Sequence, residues 1–337
     1  MDIEAPDQLA EYLQARGLLP VGEEADMRVL AGGVSNKTVW LRRPEPPHWV
    51  LKQALPKLRV KDDWFSDPSR IHREAEGMRV LAGLAPAGVI LPFVFEDEAA
   101  HILAMDAAPE PHTNWKSDLL AGVVEPSLVD AFGRILGQIH RRFDAATYPV
   151  DGRLRDRSFF ESLRLAPYYQ ASADRAPEAA AFLEVLIRET RATAITVVHG
   201  DYSPKNVLVH AGRLILLDHE VIHIGDPAFD VGFSLTHFLS KAHHLPEYRT
   251  SFVDAARRHW AAYAGEARGA AWFDGMESRA VAHTLACLLA RAVGRSPLEY
   301  LDPEERMRQR DAVVKLMGRP PAWVEGLIEG FLREIHI

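Results

Sequence analysis

Val197-Val198-His199-Gly200-Asp201-Tyr202-Ser203-Pro204-Lys205-Asn206-Val207-Leu208-Val209 is the stretch on which the fold turns. A short β-branched run delivers a loop carrying His, Asp and Asn, and a second β-branched run carries the chain away. A third strand-like run, 213–217, then leads directly into Asp218-His219-Glu220. A His-Gly-Asp triplet alone reads as a turn whose Asp caps a backbone N–H. The full order, strand, Asp-x4-Asn, strand, Asp, asks for more than a turn.

Phosphoryl transfer to an alcohol requires a carboxylate that accepts or orients the hydroxyl proton. It also requires a neutral and an anionic oxygen that hold magnesium against phosphates. His199, Asp201 and Asn206 have the spacing of the kinase catalytic loop, His-x-Asp followed by four residues and Asn. Asp218, ending the next strand, falls where the metal-binding Asp of kinases lies. The first third of the chain carries the matching nucleotide features. Gly32-Gly33-Val34-Ser35-Asn36 is a short turn between strands whose backbone could approach phosphates; by itself it is also an ordinary hairpin. Lys52, in Val50-Leu51-Lys52, sits on the third strand, where a cation for the α/β-phosphates belongs. Glu74 on the following helix is the acid expected to hold it, with Glu76 the alternative.

Taken together, these residues resemble the aminoglycoside phosphotransferase, choline kinase and methylthioribose kinase group, small-molecule kinases with a two-lobed protein-kinase-like fold. The resemblance is carried by Gly32 to Asn36, Lys52, Arg73-Glu74-Ala75, His199-Gly200-Asp201 with Asn206, Asp218, and Gly225-Asp226-Pro227-Ala228-Phe229-Asp230. It implies ATP and Mg2+ as cofactors, Asp201 as catalytic base, and Asn206 and Asp218 as magnesium ligands. It also implies a hinge at Met105 to Ala107 that presents backbone groups to adenine. Asp218 and Glu220 are similar to the Asp-x-Glu of the choline kinase and methylthioribose kinase branches, where the Glu also approaches metal. Lys52-Gln53-Ala54-Leu55-Pro56-Lys57-Leu58-Arg59-Val60, then Trp64 and Arg70-Ile71, leans toward the methylthioribose kinase branch; the loop Tyr202 to Asn206 departs from it.

Moving outward, the chain has 337 residues, ample for a sizeable core without staples. It is 47% apolar and 26% charged, with 39 basic and 47 acidic residues and a formal charge of −8. A net-acidic chain without a basic block is a poor fit to nucleic acid or an anionic membrane. Cys287 is the single cysteine, which excludes an intrachain disulfide and suits a reducing cytoplasm. The N-terminus lacks the pattern of a secretory signal. Apolar periodicity predicts a helix over 5–16, strands at 27–31, 37–42 and 49–54, a helix over 69–84, and strands at 89–95 and 100–105. Beyond residue 106 it predicts mainly helices, around 128–139 and over 174–191, 227–242, 247–264, 275–293 and 302–317. The expected architecture is α+β. A small antiparallel sheet lobe, residues 1–106, binds nucleotide, and a larger, mainly helical lobe, residues 107–337, carries the catalytic loop and the acceptor site.

Several residues have plainer readings. The His199 ring is expected to bond to backbone and hold the Asp201 loop, and Asp230 to tether that loop from the next helix. His219 is expected to pack or hydrogen-bond away from metal. Lys205, directly before Asn206, either neutralises transferring charge or is a solvated loop lysine. Arg279, His283 and Arg291 recur on one face of an otherwise apolar helix, so they either pair with internal carboxylates or form a substrate-facing stripe. The leading function is transfer of the ATP γ-phosphate to a hydroxyl of a small molecule: a sugar such as a thioribose, an amino alcohol or a similar metabolite. An aminoglycoside kinase is the narrower alternative, though the helical lobe shows no dense acidic run for a polycation. A catalytically silent nucleotide-binding scaffold is the alternative of another class, set against the filled catalytic positions. A cation-lined cleft would favour an anionic or sugar acceptor, and a carboxylate-lined cleft a cationic one. Oligomeric state is open.

Overall fold

The computed structural model describes residues 1–22, 26–30, 35–59 and 63–335. The N-terminal lobe is built from helix α1 (Pro6–Ala15), strands β1 (Met27–Val29), β2 (Asn36–Leu41) and β3 (Trp49–Ala54), helix α2 (Arg70–Leu84), and strands β4 (Phe93–Asp97) and β5 (Ile102–Asp106). The five strands form one antiparallel sheet in the order β1-β2-β3-β5-β4. Side-chain alternation divides its faces. Val39, Leu41, Trp49, Leu51, Ile102 and Ala104 meet Ile3, Leu9 and Leu13 of the N-terminal segment. Ala54, Leu103 and Met105 point the other way, onto Ile71, Ala75, Met78 and Leu81 of α2. Lys52 lies opposite Leu103 and Thr38 in register, on the α2 side.

The second lobe follows with strand β6 (Thr113–Asn114) and helices α3 (Trp115–Leu120) and α4 (Pro126–Arg142). Helix α5 (Ser158–Phe160) runs through a widened π-type stretch, Glu161–Gln170, into α6 (Ala171–Arg175), and α7 (Ala180–Ala192) follows. Strands β7 (Thr196–Val198), β8 (Val207–His210), β9 (Arg213–Leu216) and β10 (His223–Gly225) carry the loops of the expected site. The chain ends in helices α8 (Ala228–His244), α9 (Arg249–Ala267), α10 (Met276–Val293), α11 (Pro303–Met317) and α12 (Val324–Ile335). Strand β7 pairs β10, and β6-β8-β9 form a three-stranded sheet. Helix α8 is buried on all sides over its first sixteen residues, as its near-continuous apolar sequence dictates, and forms the axis of the lobe. The α+β, two-lobed, protein-kinase-like architecture expected from the sequence is the one found.

Two expectations are corrected, and one helical stretch was missed. The strand predicted at 89–95 starts only at Phe93, because Pro92 has no N–H for the ladder. Its upstream part joins the other lobe instead: Ile90 bridges Leu216 in parallel, with the Leu216 N–H on the Val89 carbonyl at 2.8 Å. The helix predicted over 174–191 is two helices, broken before Pro177, where Ala176 leaves helical geometry. The helical run through 158–175 was hidden by Pro167, which a widened turn accommodates.

Gly77 sets how closely α2 approaches the segment after Asp218. A Cβ there would lie 2.8 Å from Ile222 Cγ2 and 3.1 Å from His219 Cβ. Gly77→Val is therefore expected to destabilise the chain by about 1–3 kcal/mol through overpacking. Gly83→Ala on the same helix, with nothing within 4 Å of the added carbon, is expected to gain up to about 1 kcal/mol. Chemical denaturation of the two variants checks the contrast; equal midpoints would remove the packing argument.

Candidate active site

Strand β7 feeds His199 to Ser203, a 3-10 turn at Pro204–Asn206 follows, and β8 leads away. Gly200 adopts φ 78, and a Cβ would sit 3.0 Å from both Cγ1 and the carbonyl of Val221, so only glycine suits the bend. The wholly buried Asp230, in the first turn of α8, accepts the His199 N–H at 2.6 Å and the Gly200 N–H at 2.8 Å. His140 Nε2 lies 3.3 Å from the same carboxylate. Burial alone would raise this carboxyl; the His140 contact, His199 and the Gly200 N–H outweigh it and hold it below the ordinary range. Tyr202 fixes the far side of the loop, stacking on Phe132 at 4.1 Å and donating its hydroxyl to the Phe132 carbonyl at 2.8 Å.

His199 and His219 form a buried pair. His199 Nδ1 accepts the Asp201 N–H at 3.3 Å, which leaves its Nε2–H to donate to His219 Nδ1 at 3.1 Å. Burial lowers both rings, so both are neutral and the pair is a hydrogen-bonded prop. The expected supporting roles of His199, His219 and Asp230 match this geometry.

Asp201 projects one oxygen into protein and leaves the other for the cleft. Its Oδ2 lies 3.0 Å from the Arg164 guanidinium and accepts from Asn206 Nδ2 at 2.7 Å. Among the described residues Oδ1 has no hydrogen-bond partner. Arg164 also donates to the Gly200 carbonyl at 2.6 Å. Burial would raise the Asp201 carboxyl, but Arg164 and Lys205 draw it below its usual value. With its amide nitrogen given to Asp201, Asn206 keeps Oδ1 free. Arg164 was missed in the sequence. It lies three residues before Pro167, in a stretch whose helical periodicity the widened turn distorts.

Lys52 Nζ lies 2.6 Å from Glu74 Oε1 and 3.3 Å from Asp218 Oδ1. Glu76 faces elsewhere and accepts from the Tyr148 hydroxyl at 2.9 Å. Burial would lower the Lys52 ammonium, yet Glu74 and Asp218 hold it above the ordinary range, while burial pushes Glu74 up. Asp218 adopts φ 67, a left-handed conformation that Asp tolerates better than most residues and that turns the chain sharply at the end of β9. Burial would raise the Asp218 carboxyl, and Lys52 and Lys205 together pull it well down. Glu220 gives Oε2 to Arg70 Nε at 3.1 Å and to Asn36 Nδ2 at 3.5 Å. Arg70 is fully buried; its remaining donors reach the carbonyls of Ser35, Leu55, Ser66 and Asp67.

Ser35 and Asn36 thus stand beside Glu220 at the roof of the cleft; Gly32 and Gly33 lie outside the described residues. The buried Asn36 Oδ1 and Glu74 Oε2 have no partner. Asn206 Oδ1 and the Asp218 carboxylate, from adjoining ends of the two loops, are oxygen donors of the kind that fits a hard cation carrying water and phosphate. Among the described residues no group of three or more His, Cys, Asp or Glu is placed to cage a metal alone. The hinge expectation is narrowed. The Asp106 N–H goes to the Pro92 carbonyl at 2.9 Å and the Ala107 N–H to the His48 carbonyl at 2.7 Å, so neither donor is free. Met105 is buried in the core.

Below the roof lies a cavity of about 360 Å3. Asp201, Lys205, Asp218 and Glu220 line one side; Trp64, Lys116, Arg164, Tyr168, His237, Arg291, Glu299 and Tyr300 are among those on the rest. The helical stripe on α10 is split. Arg279 pairs with Asp226 at 3.2 Å, and buried His283 shares a hydrogen bond with the Tyr169 hydroxyl at 2.8 Å. The substrate-facing reading is corrected for both, since an α-helix turns a full stripe away from a cleft that meets only its C-terminal end. Arg291 alone of the three lines the cavity. Lys205 is exposed at the rim, and no ion pair holds its ammonium among the described residues.

Residues 26–281 match the model described as the phosphotransferase enzyme family. The methylthioribose kinase of Pectobacterium atrosepticum is 25% identical over 222 residues, covering 58% of this chain and 55% of that one. The chain therefore spans about half the length of the curated relatives it matches. A macrolide 2'-phosphotransferase from Brachybacterium faecium superposes with TM-score 0.53 at 18% identity, over 94% of this chain and 99% of that one. A choline kinase from Streptococcus pneumoniae does so with TM-score 0.53 at 15% identity, over 93% and 98%.

Asp230→Ala would leave the His199 and Gly200 N–H groups buried without an acceptor, and a loss of about 3–5 kcal/mol is expected. Urea unfolding measures it, with Asp230→Asn, which keeps one acceptor, falling between. A wild-type midpoint for Asp230→Ala would remove its anchoring role.

Proposed function

The chain belongs to the phosphotransferase enzyme family, and from that membership we propose that it moves the terminal phosphoryl group of ATP to a hydroxyl of a small molecule. The observation that carries the reading is Asp201: one oxygen is pinned by Arg164 and Asn206, and the other opens on a cavity that Asp218 also lines. The described helices include none long and apolar enough to cross a membrane.

Lys52, steadied by Glu74, holds the α/β-phosphates. Asn206 Oδ1 and the Asp218 carboxylate are the groups that would hold Mg2+, which when bound supplies neutralisation of the triphosphate charge. Asp201 Oδ1 orients the acceptor hydroxyl and takes its proton as the new O–P bond forms and the bond to the leaving ADP oxygen breaks. The proton later leaves Asp201 for solvent. Lys205, at the rim beside Asn206, faces the transferring oxygens, where charge spreads in a loose transition state. Arg164 acts through Asp201: it fixes the rotamer and keeps the carboxyl ionised. Glu220 anchors Arg70 and so the roof of the site, with its second oxygen directed to the cavity.

A coupled ADP-release screen against sugars, thioribose, amino alcohols and hydroxy acids tests the reading; magnesium-dependent nucleotide binding with no turnover on any acceptor would sink it. Asp201→Asn is expected to lower turnover about 10²–10⁴-fold with ATP affinity nearly unchanged. Lys205→Met is expected to lower kcat and leave acceptor affinity in place, and unaltered kcat would return Lys205 to the solvated surface. Arg164→Met removes the cation that depresses Asp201, so the acid limb of the kcat/KM profile moves up toward neutral pH. Arg164→Lys should restore most of the wild-type profile, and an unmoved limb in Arg164→Met would leave Arg164 as packing alone.

A further inference from the structure

The charges around the acceptor side of the cavity do not balance. Near the catalytic loop they do: Asp201 faces Arg164, Asp218 faces Lys52 and Glu220 faces Arg70. On the opposite wall Lys116 is paired with Glu299, the only carboxylate there among the described residues. Arg291 has none. Its guanidinium donates to the Ser296 carbonyl and hydroxyl at 2.9 and 3.0 Å. It lies 4.8 Å from the centre of the Tyr168 ring and 5.2 Å from that of Phe233. Its Nε is buried with no partner. Behind this wall Lys241 is fully buried; among the described residues its ammonium reaches the His237 carbonyl, at 3.3 Å, and the Tyr300 ring, at 5.3 Å, and no carboxylate.

Orphaned polar atoms lie on the same wall. His237 Nε2 and the Tyr300 hydroxyl are buried without partners, like Arg291 Nε, and all three residues line the cavity. His237 is 6% exposed, so its ring gains little from water. Burial is the main reason its imidazole is held well below its ordinary value, and Lys241, Arg291, Lys116 and Lys205 add to it. Burial likewise brings the Lys241 ammonium down to about 7, helped by Lys116 and Arg291. Buried donors without acceptors are costly, and buried cations without counter-charge cost more. An anion on this wall offsets both at once.

We infer that the acceptor carries a negatively charged group, a carboxylate or a phosphoryl group, which docks on the Arg291–His237–Tyr300 wall while its hydroxyl meets Asp201. The inference rests on the kinase reading for the reacting hydroxyl and on the wall alone for the charge. Lys116 and Glu299 set its strength, since Glu299 already claims one of the cations. A polycationic acceptor would bring like charge against Arg291 and Lys241.

The test uses the full chain saturated with Mg2+ and AMP-PNP, titrated calorimetrically with four probes on one carbon skeleton: gluconate, glucose 6-phosphate, glucitol and glucosamine. At least one anionic probe should bind tenfold or more tightly than glucitol, with glucosamine weakest; which anion wins separates carboxylate from phosphoryl recognition. Arg291→Met should erase the preference with nucleotide affinity unchanged, and Arg291→Lys should keep most of it. Glu299→Gln, which frees Lys116, should strengthen anion binding severalfold. Glucitol binding as tightly as both anions, or glucosamine binding best, overturns the inference. The same is true if Glu299→Gln weakens anion binding. ADP release confined to neutral or cationic acceptors would also overturn it and leave the kinase reading standing. Anion preference without ADP release from any hydroxyl compound would do the reverse.

Discussion

One buried carboxylate holds the site together. Asp230 is cut off from water at the start of the most deeply buried helix, and it meets two consecutive backbone N–H groups of the loop after β7. An ionised group in that position is tolerated only because every near neighbour is a donor. Once that loop is fixed, Gly200 must take its left-handed bend, and Asp201 and Asn206 follow from the bend. The His199–His219 pair then links the loop to the segment after β9, so the two acidic positions of the cleft, Asp201 and Asp218, are referenced to each other through one hydrogen bond between neutral rings.

The lobes are joined by the same logic of buried polar groups fully used. Arg70 leaves α2, where no water reaches it, and spends its fork on four carbonyls and Glu220. Its partner lies two residues from Asp218, and Gly77, two turns along the same face, lets the backbone of α2 press on His219 and Ile222. Lys52 crosses the same junction to Asp218. The Lys52 side and the Arg291 side of the cleft therefore differ in kind. On the first, charges are matched within the protein. On the second, Arg291 and Lys241 are left without a carboxylate among the described residues.

Much of this was legible in the chain. The antiparallel sheet followed from period-two alternation, the helical lobe from period 3.6, and Asp201, Asn206 and Asp218 from a spacing set by two short strands with no room to slip. Lys52 and Glu74 were readable because a strand and the next helix in sequence are neighbours in space. The choice of Glu74 over Glu76 is a matter of helical phase: two residues are 200° apart, so only one can face β3. What the sequence could not supply were partners brought from a distance. Arg164 sits behind a proline that masks its helix, and only packing against the loop turns it to Asp201. Arg279, His283 and Arg291 share a face in sequence, but the cleft touches only one end of α10, so tertiary structure gives them different surroundings. At the hinge expected over Met105 to Ala107, the N–H groups of Asp106 and Ala107 go to Pro92 and His48, a matter of sheet edges that local pattern does not fix. Periodicity determined which residues are inside, and backbone spacing determined the catalytic loop. Which buried charges go unanswered was decided by tertiary structure alone, because a counter-ion is chosen by distance in space and not by distance along the chain.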